Sequence, residues 1–178
     1  MRQALHNSSF LIILLLLIHV NAWCLHKDPV KVKGKVVKVI DGDTFELLTA
    51  RKVSYRIRMS AIDAPERGQD FYKVSKDALG RQCFNKTVTV ILLNKDQYQR
   101  WVGELYDDSG KNINLWMVEQ GHAWHYKQYV NPALAAAEQK ARIHKRGLWA
   151  HPAPIAPWEY RKAKRNKPAK KLTRKFIQ

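Results

Sequence analysis

The pattern of apolar and polar positions along the chain predicts five short β-strands. Residues 30–40 (VKVKGKVVKVI) alternate apolar with mainly basic side chains, and residues 52–62 (KVSYRIRMSAI) alternate again. A period of two is typical of a strand that buries one face. Residues 44–48 form a shorter candidate strand between these two segments. The β-branched run at 87–93 (TVTVILL) and the segment 100–106 complete the set.

Three other segments favour helices. Residues 68–85 lack β-branched runs, and residues 113–120 are followed by a glycine that would end a short helix. Asn131 before Pro132 is a typical helix start, and Gly147 after two basic residues marks the predicted end of that helix. Three helices with these strands predict an α+β protein. Strands this short in a small domain favour a closed or partly closed barrel over an open parallel sheet.

The first 22 residues have the pattern of a signal peptide. Arg2 precedes nine unbroken apolar residues at 10–18, and Val-Asn-Ala at 20–22 places small residues before a cleavage point. The alternative is a membrane anchor, but a spanning helix needs about 20 apolar residues. We therefore expect an exported protein, periplasmic or secreted, without a membrane span after cleavage.

The C-terminal part differs in composition from the expected domain at residues 23–150. Residues 151–160 begin HPAPIAP and predict a stiff linker, or a strap lying on the domain. Residues 161–178 contain nine Lys or Arg and no acid, so a disordered tail is expected. This tail has two interpretations: it contacts nucleic-acid phosphates, or it binds anionic lipid or a cell-surface polymer.

Without residues 1–22 the chain has two cysteines, Cys24 and Cys83. In an exported protein they can form one disulfide, and the alternative is two free thiols. Their spacing fits no metal motif.

A small acidic cluster stands out in a chain whose formal net charge is +17. Five of the 15 acidic residues lie between positions 41 and 66, in the turns DGDTFE and IDAPE. Each turn alone is ordinary, because acidic residues are common in turns. Together, however, they end neighbouring strands, and each turn is close in sequence to arginine on a strand face. Carboxylates suit a hard cation such as Ca²⁺ or Mg²⁺, and guanidinium groups suit phosphate oxygens. This combination points to phosphodiester cleavage.

Three motifs in this region resemble the staphylococcal (micrococcal) nuclease family. They are VIDGDTFEL, YRIRMSAIDAPE and DQYQRWVGELY, and their order and spacing agree over about residues 32–149. GHAW and RGLW resemble exported bacterial members. The resemblance implies a five-stranded OB-type β-barrel with about three α-helices. It also implies Ca²⁺-dependent hydrolysis of DNA and RNA that leaves 3′-phosphate ends.

The resemblance also implies a role for each matching residue. Asp43 and Asp63 would bind one Ca²⁺ through their carboxylates, with Asp41 supporting them. The next ligand would be the backbone carbonyl of Ala64, where the family has a threonine. Glu66 would position or deprotonate the attacking water.

The phosphate and the nucleotide have their own candidate residues. Arg58 and Arg100 would bind the scissile phosphate, although Arg100 lacks the glycines that usually flank it in the family. Tyr98 matches a tyrosine beside the nucleotide, and Tyr126 or Tyr129 matches another.

One geometric expectation is independent of the family. Arg58 and Asp63 are five residues apart, so in a regular strand their side chains would point to opposite faces. They meet only if the strand bends or bulges, and the residue before Pro65 is biased towards extended geometry. We therefore predict a strand break between Ser60 and Asp63.

Two other functional classes compete with a nuclease. One is a non-catalytic OB-type nucleic-acid-binding protein, and the other is a basic surface protein. The presence of Asp43, Arg58, Asp63, Glu66 and Arg100 together favours the nuclease. The expected partners are then DNA and RNA, no protein partner is implied, and we expect a monomer.

Overall fold

The structure is a computed structural model that describes residues 29–166. The predicted signal peptide, Cys24 and residues 167–178 of the basic tail lie outside the described residues. None of the helices in the described range is long and apolar enough to cross a membrane.

Five strands form the closed barrel that the sequence predicts. The strands are β1 Val30–Val39, β2 Thr44–Leu48, β3 Ser54–Met59, β5 Thr87–Lys95 and β6 Trp101–Tyr106. Their order around the barrel is β1-β2-β3-β6-β5. The pairs β1–β2, β2–β3 and β5–β6 are antiparallel, and the pair β3–β6 is parallel. Two further strands of two residues each, β4 Ile62–Asp63 and β7 Trp124–His125, pair with each other outside the barrel.

The alternating pattern explains the barrel interior. Phe45 and Leu47 on β2, and Ile57 and Met59 on β3, are all buried. Side chains two apart share one face of a strand, so these four point into the core together. Each buried side chain of this size contributes about 1.5–3 kcal/mol to folding.

Three helices correspond to the predicted ones. They are α1 Tyr72–Cys83, α2 Ile113–Glu119 and α3 Pro132–Ile143. The predicted start of α3 is confirmed, because the Asn131 side chain accepts a hydrogen bond from the Leu134 amide at 3.1 Å. The predicted end at Gly147 was wrong. The helix stops at Ile143, and Lys145 takes a left-handed φ of 50° before a short 3₁₀ helix, Gly147–Ala150.

A fourth helix, α4 Pro157–Arg165, was not predicted. It crosses the expected boundary between the linker and the basic tail at residue 160. Its local signals are a proline at the first position, Glu159 in the first turn and basic residues in the last turn. Ala156 and Trp158 attach it to a second apolar cluster that includes Trp124 and Trp149. The tertiary contacts of these few apolar residues stabilise a helix in an otherwise charged segment.

The thiol of Cys83 is fully buried on α1. It donates a hydrogen bond to the carbonyl of Leu79 at 3.2 Å, and burial raises the pKa of the thiol to about 12. The disulfide with Cys24 stays a prediction, since Cys24 lies outside the described residues.

Candidate active site

The first acidic turn is placed by the pairing of β2 with β3. Ile40 donates its amide to the carbonyl of Thr44 at 2.9 Å, which closes the turn. Thr44 lies opposite Arg58 in the β2–β3 register, and the Met59 amide donates to the carbonyl of Asp43 at 2.7 Å. Asp43 therefore lies beside the end of β3, next to Arg58.

Gly42 allows this turn to lie close to helix α1. A Cβ atom at position 42 would overlap the hydroxyl of Ser75 and would lie 2.8 Å from the Cβ of Ala64. The Ser75 hydroxyl itself donates to the carbonyl of His122 at 2.7 Å. A glycine between the two aspartates thus lets the turn, the second acidic segment and α1 come together.

The predicted strand break before Asp63 is confirmed. β3 ends at Met59, Ala61 has a left-handed φ of 56°, and a new two-residue strand begins at Ile62. Asp63 in that strand pairs with Trp124 of β7. The side-chain amide of Asn114 donates to the carbonyl of Ser60 at 2.9 Å, which satisfies a backbone group freed by the turn. The reversal brings Asp63 to the side of the chain that carries Arg58.

Arg58 joins the two acidic turns. Its guanidinium forms an ion pair with Asp43 and donates to Asp63 Oδ1 at 2.7 Å. The other Asp43 oxygen accepts the amide of Ala64 at 2.7 Å. Asp43 and Asp63 are only 2% and 1% exposed, so these contacts replace nearly all of their hydration. Buried charges of this kind require partners.

The environment of each carboxylate sets the direction of its pKa. Burial alone would raise the pKa of Asp43, but Arg58 and hydrogen bonds hold it below the usual value. Burial, and then the charge of Asp43, raise the pKa of Asp41 to about 7. Burial also raises the pKa of Asp63, despite its guanidinium partners. The ionised forms of Asp41 and Asp63 are therefore disfavoured in this cluster, and one further positive charge nearby would stabilise them.

Glu66 follows Asp63 in an irregular segment rather than in a helix. Its amide donates to the side chain of Gln69 at 2.7 Å, and its carbonyl accepts the Gln69 amide at 2.8 Å. Its own side chain stays partly exposed. The turn thus places the Glu66 carboxylate near Asp63, where the Nη1 atom of one arginine contacts both.

Sequence reasoning missed one residue of the site, Arg161 on α4. Its Nη1 donates to Glu66 Oε1 at 2.6 Å and to Asp63 Oδ1 at 3.1 Å, and its Nη2 donates to Asp63 Oδ2 at 2.8 Å. Arg161 lies 98 residues after Asp63 in the chain. Nothing in its local sequence distinguishes it from the other basic residues of the tail.

One groove of about 800 Å³ is lined by those predicted site residues whose side chains are not fully buried. It is lined by Asp41, Arg58, Glu66, Tyr98, Arg100, Tyr126 and Tyr129, and by Trp158, Arg161 and Arg165 of α4. Asp43 and Asp63 lie buried beside Arg58 at the same place. The structure therefore brings the predicted catalytic and substrate-binding residues together at one site.

Arg100 enters this groove from the segment between β5 and β6. Its guanidinium pairs with Asp96 at 2.7 Å, and it lies over the ring of Tyr98 at 5.3 Å. Tyr98 is 70% exposed, and the rings of Tyr126 and Tyr129 lie 6.0 Å apart. The groove thus combines a guanidinium held by a carboxylate with aromatic faces open to a ligand.

The donor set fits a hard divalent cation. The carboxylates of Asp43, Asp63 and Glu66 meet the guanidinium groups of Arg58 and Arg161, so the fully ionised set carries one excess negative charge. Within residues 29–166, however, no three His, Cys, Asp or Glu side chains are arranged to hold a metal ion. Guanidinium groups occupy the carboxylate oxygens instead. The predicted ligand set is Asp43, Asp63 and the carbonyl of Ala64. It remains a prediction, since Ala64 enters these contacts through its amide and not through its carbonyl.

Comparison with known proteins indicates a nuclease. Residues 56–151 match the family described as staphylococcal nuclease homologue. A protein of Escherichia coli O157:H7 named an uncharacterized endonuclease is 43% identical over 134 residues, which cover 75% of this chain and 87% of that protein. A Haemophilus influenzae protein with the same description is 42% identical over 129 residues, 72% of each chain. The micrococcal nuclease of Shigella flexneri is 35% identical over 162 residues, 85% of this chain and 89% of that one.

The buried ion pairs predict a stability role for Arg58. Arg58→Ala should lower the free energy of unfolding by about 3–5 kcal/mol, because two buried carboxylates lose a partner. Urea unfolding in the presence of a chelator measures this effect without a bound cation. Arg56→Ala is the matched control, since Arg56 lies on the same strand but is exposed. An effect of Arg58→Ala as small as that of the control would contradict the ion-pair interpretation.

Proposed function

The chain belongs to the staphylococcal nuclease homologue family and is a nuclease, and we propose that it is an exported, Ca²⁺-dependent phosphodiesterase. Its substrates would be DNA and RNA, and its products would carry 3′-phosphate ends. The observation that supports this proposal most directly is the position of Arg58 between Asp43 and Asp63, with Glu66 and Arg100 on the same groove.

Arg58 is suited to hold the scissile phosphate while it remains paired. Its contacts with Asp43, Asp63 and the Ile62 carbonyl use three donors of a guanidinium that has five. Two N–H groups are therefore left for phosphate oxygens. Its carboxylate partners also fix its orientation before the substrate arrives, which lowers the cost of reorganisation as charge develops on the phosphoryl oxygens.

Glu66 is suited to act as the general base. Its carboxylate reaches the groove, so it can accept a proton from a water that attacks phosphorus. The new O–P bond then forms as the bond to the 5′ oxygen breaks; the 5′ oxygen takes a proton from solvent to become a hydroxyl, and the phosphate stays on the 3′ side. A calcium ion held by Asp43, Asp63 and the Ala64 carbonyl would add positive charge beside the phosphate.

Arg100 and the tyrosines would bind the rest of the nucleotide. The Arg100 guanidinium is oriented by Asp96, as a second phosphate ligand would need to be. Tyr98 and the pair Tyr126 and Tyr129 provide aromatic faces on which bases of any sequence can stack. Stacking and phosphate contacts involve neither base edges nor the 2′-hydroxyl, which is consistent with action on both DNA and RNA.

The assay of this proposal uses the purified chain from residue 23 onward with circular plasmid and single-stranded RNA. We expect loss of both polymers with Ca²⁺ and no cleavage with a Ca²⁺ chelator. End-group analysis of the products should show 3′-phosphates. Retarded migration without cleavage in both arms would instead identify a nucleic-acid-binding protein that is not a calcium-dependent nuclease.

Glu66→Gln tests the role of the general base. The amide has nearly the same size but accepts no proton, so turnover should fall by about 10²–10⁴-fold while nucleotide binding stays near that of the unchanged chain. Single-turnover rates and equilibrium binding of a short oligonucleotide separate these effects. Glu46→Gln serves as the control, since Glu46 lies on β2 and pairs with Lys38. Near-normal turnover of Glu66→Gln would remove Glu66 from this role.

Export is proposed from the sequence of residues 1–22. In a bacterial host we expect the full chain to be processed after Ala22 and to appear in the periplasm or the medium. N-terminal sequencing of the protein from each fraction checks this. An unprocessed N-terminus in the cytoplasmic fraction would contradict it.

A further inference from the structure

Helix α4 places a third arginine in the proposed active site. The helix lies beyond residue 151, where the match to the nuclease family ends. Its Arg161 makes three hydrogen bonds of 2.6–3.1 Å to Asp63 and Glu66. These are the carboxylates to which we assign the cation and the attacking water.

Both oxygens of the Asp63 carboxylate accept hydrogen bonds from guanidinium groups. Oδ1 accepts bonds from Arg58 and Arg161, and Oδ2 accepts a bond from Arg161 Nη2 at 2.8 Å. A cation that binds the Asp63 carboxylate must share or replace these donors. Arg161 is the partner that can leave, since its side chain is 36% exposed whereas that of Arg58 is 19% exposed.

The helix that carries Arg161 is attached to the domain by contacts just before it and along its first turns. The side chain of Gln69 donates to the carbonyl of Ile155 at 3.0 Å, just before the helix. The ring of Trp158 lies 5.9 Å from that of Tyr126, and the hydroxyl of Tyr160 lies close to Gly68. Packing thus holds Arg161 at the groove. The effective concentration of its guanidinium at the two carboxylates is therefore high.

We propose that Arg161 is an internal competitor of the cation: it neutralises Asp63 and Glu66 in the cation-free chain and has to leave Asp63 when the cation binds. This inference rests on the proposed function, because it takes Asp63 as a cation ligand. Its consequence is that the chain requires a higher cation concentration than the same site without Arg161. The helix thereby sets the cation threshold of the nuclease.

The size of the effect follows from the type of contact. Charge-assisted hydrogen bonds are stronger than neutral ones, but solvent screens a pair that is one-third exposed. We therefore expect removal of the competitor to tighten cation binding by about 10-fold, a change that corresponds to about 1.4 kcal/mol.

Calorimetric titration of Ca²⁺ in the absence of nucleic acid tests this directly. Arg161→Gln should bind Ca²⁺ about 10-fold more tightly than the unchanged chain. The matched control is Arg165→Gln, which removes the same charge from the same helix and groove. Among the described residues Arg165 makes no ion pair, so its variant should stay within about twofold of the unchanged chain.

Each other outcome overturns the inference. If Arg161→Gln binds Ca²⁺ no more tightly than Arg165→Gln, Arg161 does not compete directly with the cation. It then contributes at most to the overall electrostatic potential of the groove. In that case calcium-dependent cleavage by the unchanged chain would leave the proposed function standing. If neither the unchanged chain nor Arg161→Gln binds Ca²⁺, and the unchanged chain does not cleave, the proposed function fails as well.

A second variant covers the case in which Arg161→Gln does not fold. Arg161→Lys keeps the charge but loses the forked pairing with Asp63. Thermal unfolding in chelator establishes that each variant is folded before titration. We expect Arg161→Lys to bind Ca²⁺ at least about threefold more tightly than the unchanged chain, and an unchanged affinity would overturn the inference.

Discussion

Arg58 lies between two buried carboxylates, and the arrangement of the site depends on these ion pairs. Asp43 comes from the turn before β2, and Asp63 comes from the short strand after β3. Neither carboxylate has enough exposure to be hydrated on its own. The guanidinium therefore holds two separate turns at a fixed separation while keeping donors free for a ligand. The Arg58 side chain therefore has both a structural role, in the ion pairs, and a proposed role in binding phosphate.

The electrostatics of the chain follow from this arrangement. A strongly basic protein attracts polyanions, but a group of carboxylates at the binding groove would repel them. In the structure, two arginines neutralise part of that negative charge, and the remaining imbalance suits a divalent cation. The acidic turns and the basic surface are therefore compatible, because positive charge is gathered where a phosphate would bind.

Helix α4 extends the site beyond the part of the chain that matches the nuclease family. It adds Trp158 beside Tyr126, and it adds a guanidinium to the carboxylates. The apolar cluster beneath it, with Trp124 and Trp149, is built from the domain itself. The helix is thus attached to the same elements that position Asp63, so its contacts with the site are part of one packed unit.

The sequence by itself determined the strands, the acidic turns and the identities of most of the site residues. Alternation reports burial of one strand face, as at Phe45 and Leu47, and this signal is local. The DGDT and IDAPE motifs are local as well. The need for a break before Asp63 also followed from the sequence, since strand geometry alone would have separated Asp63 from Arg58.

Only the tertiary structure decided how these parts meet. The left-handed conformation falls on Ala61, a residue with no intrinsic preference for it, because the surrounding contacts of Ser60 and Asp63 impose the turn. The helix at Pro157–Arg165 forms because a few apolar residues find partners far away in the chain. The pairing of Arg161 with Asp63 spans 98 residues. Contacts at such separations depend on the folded arrangement, and no local pattern in the sequence records them.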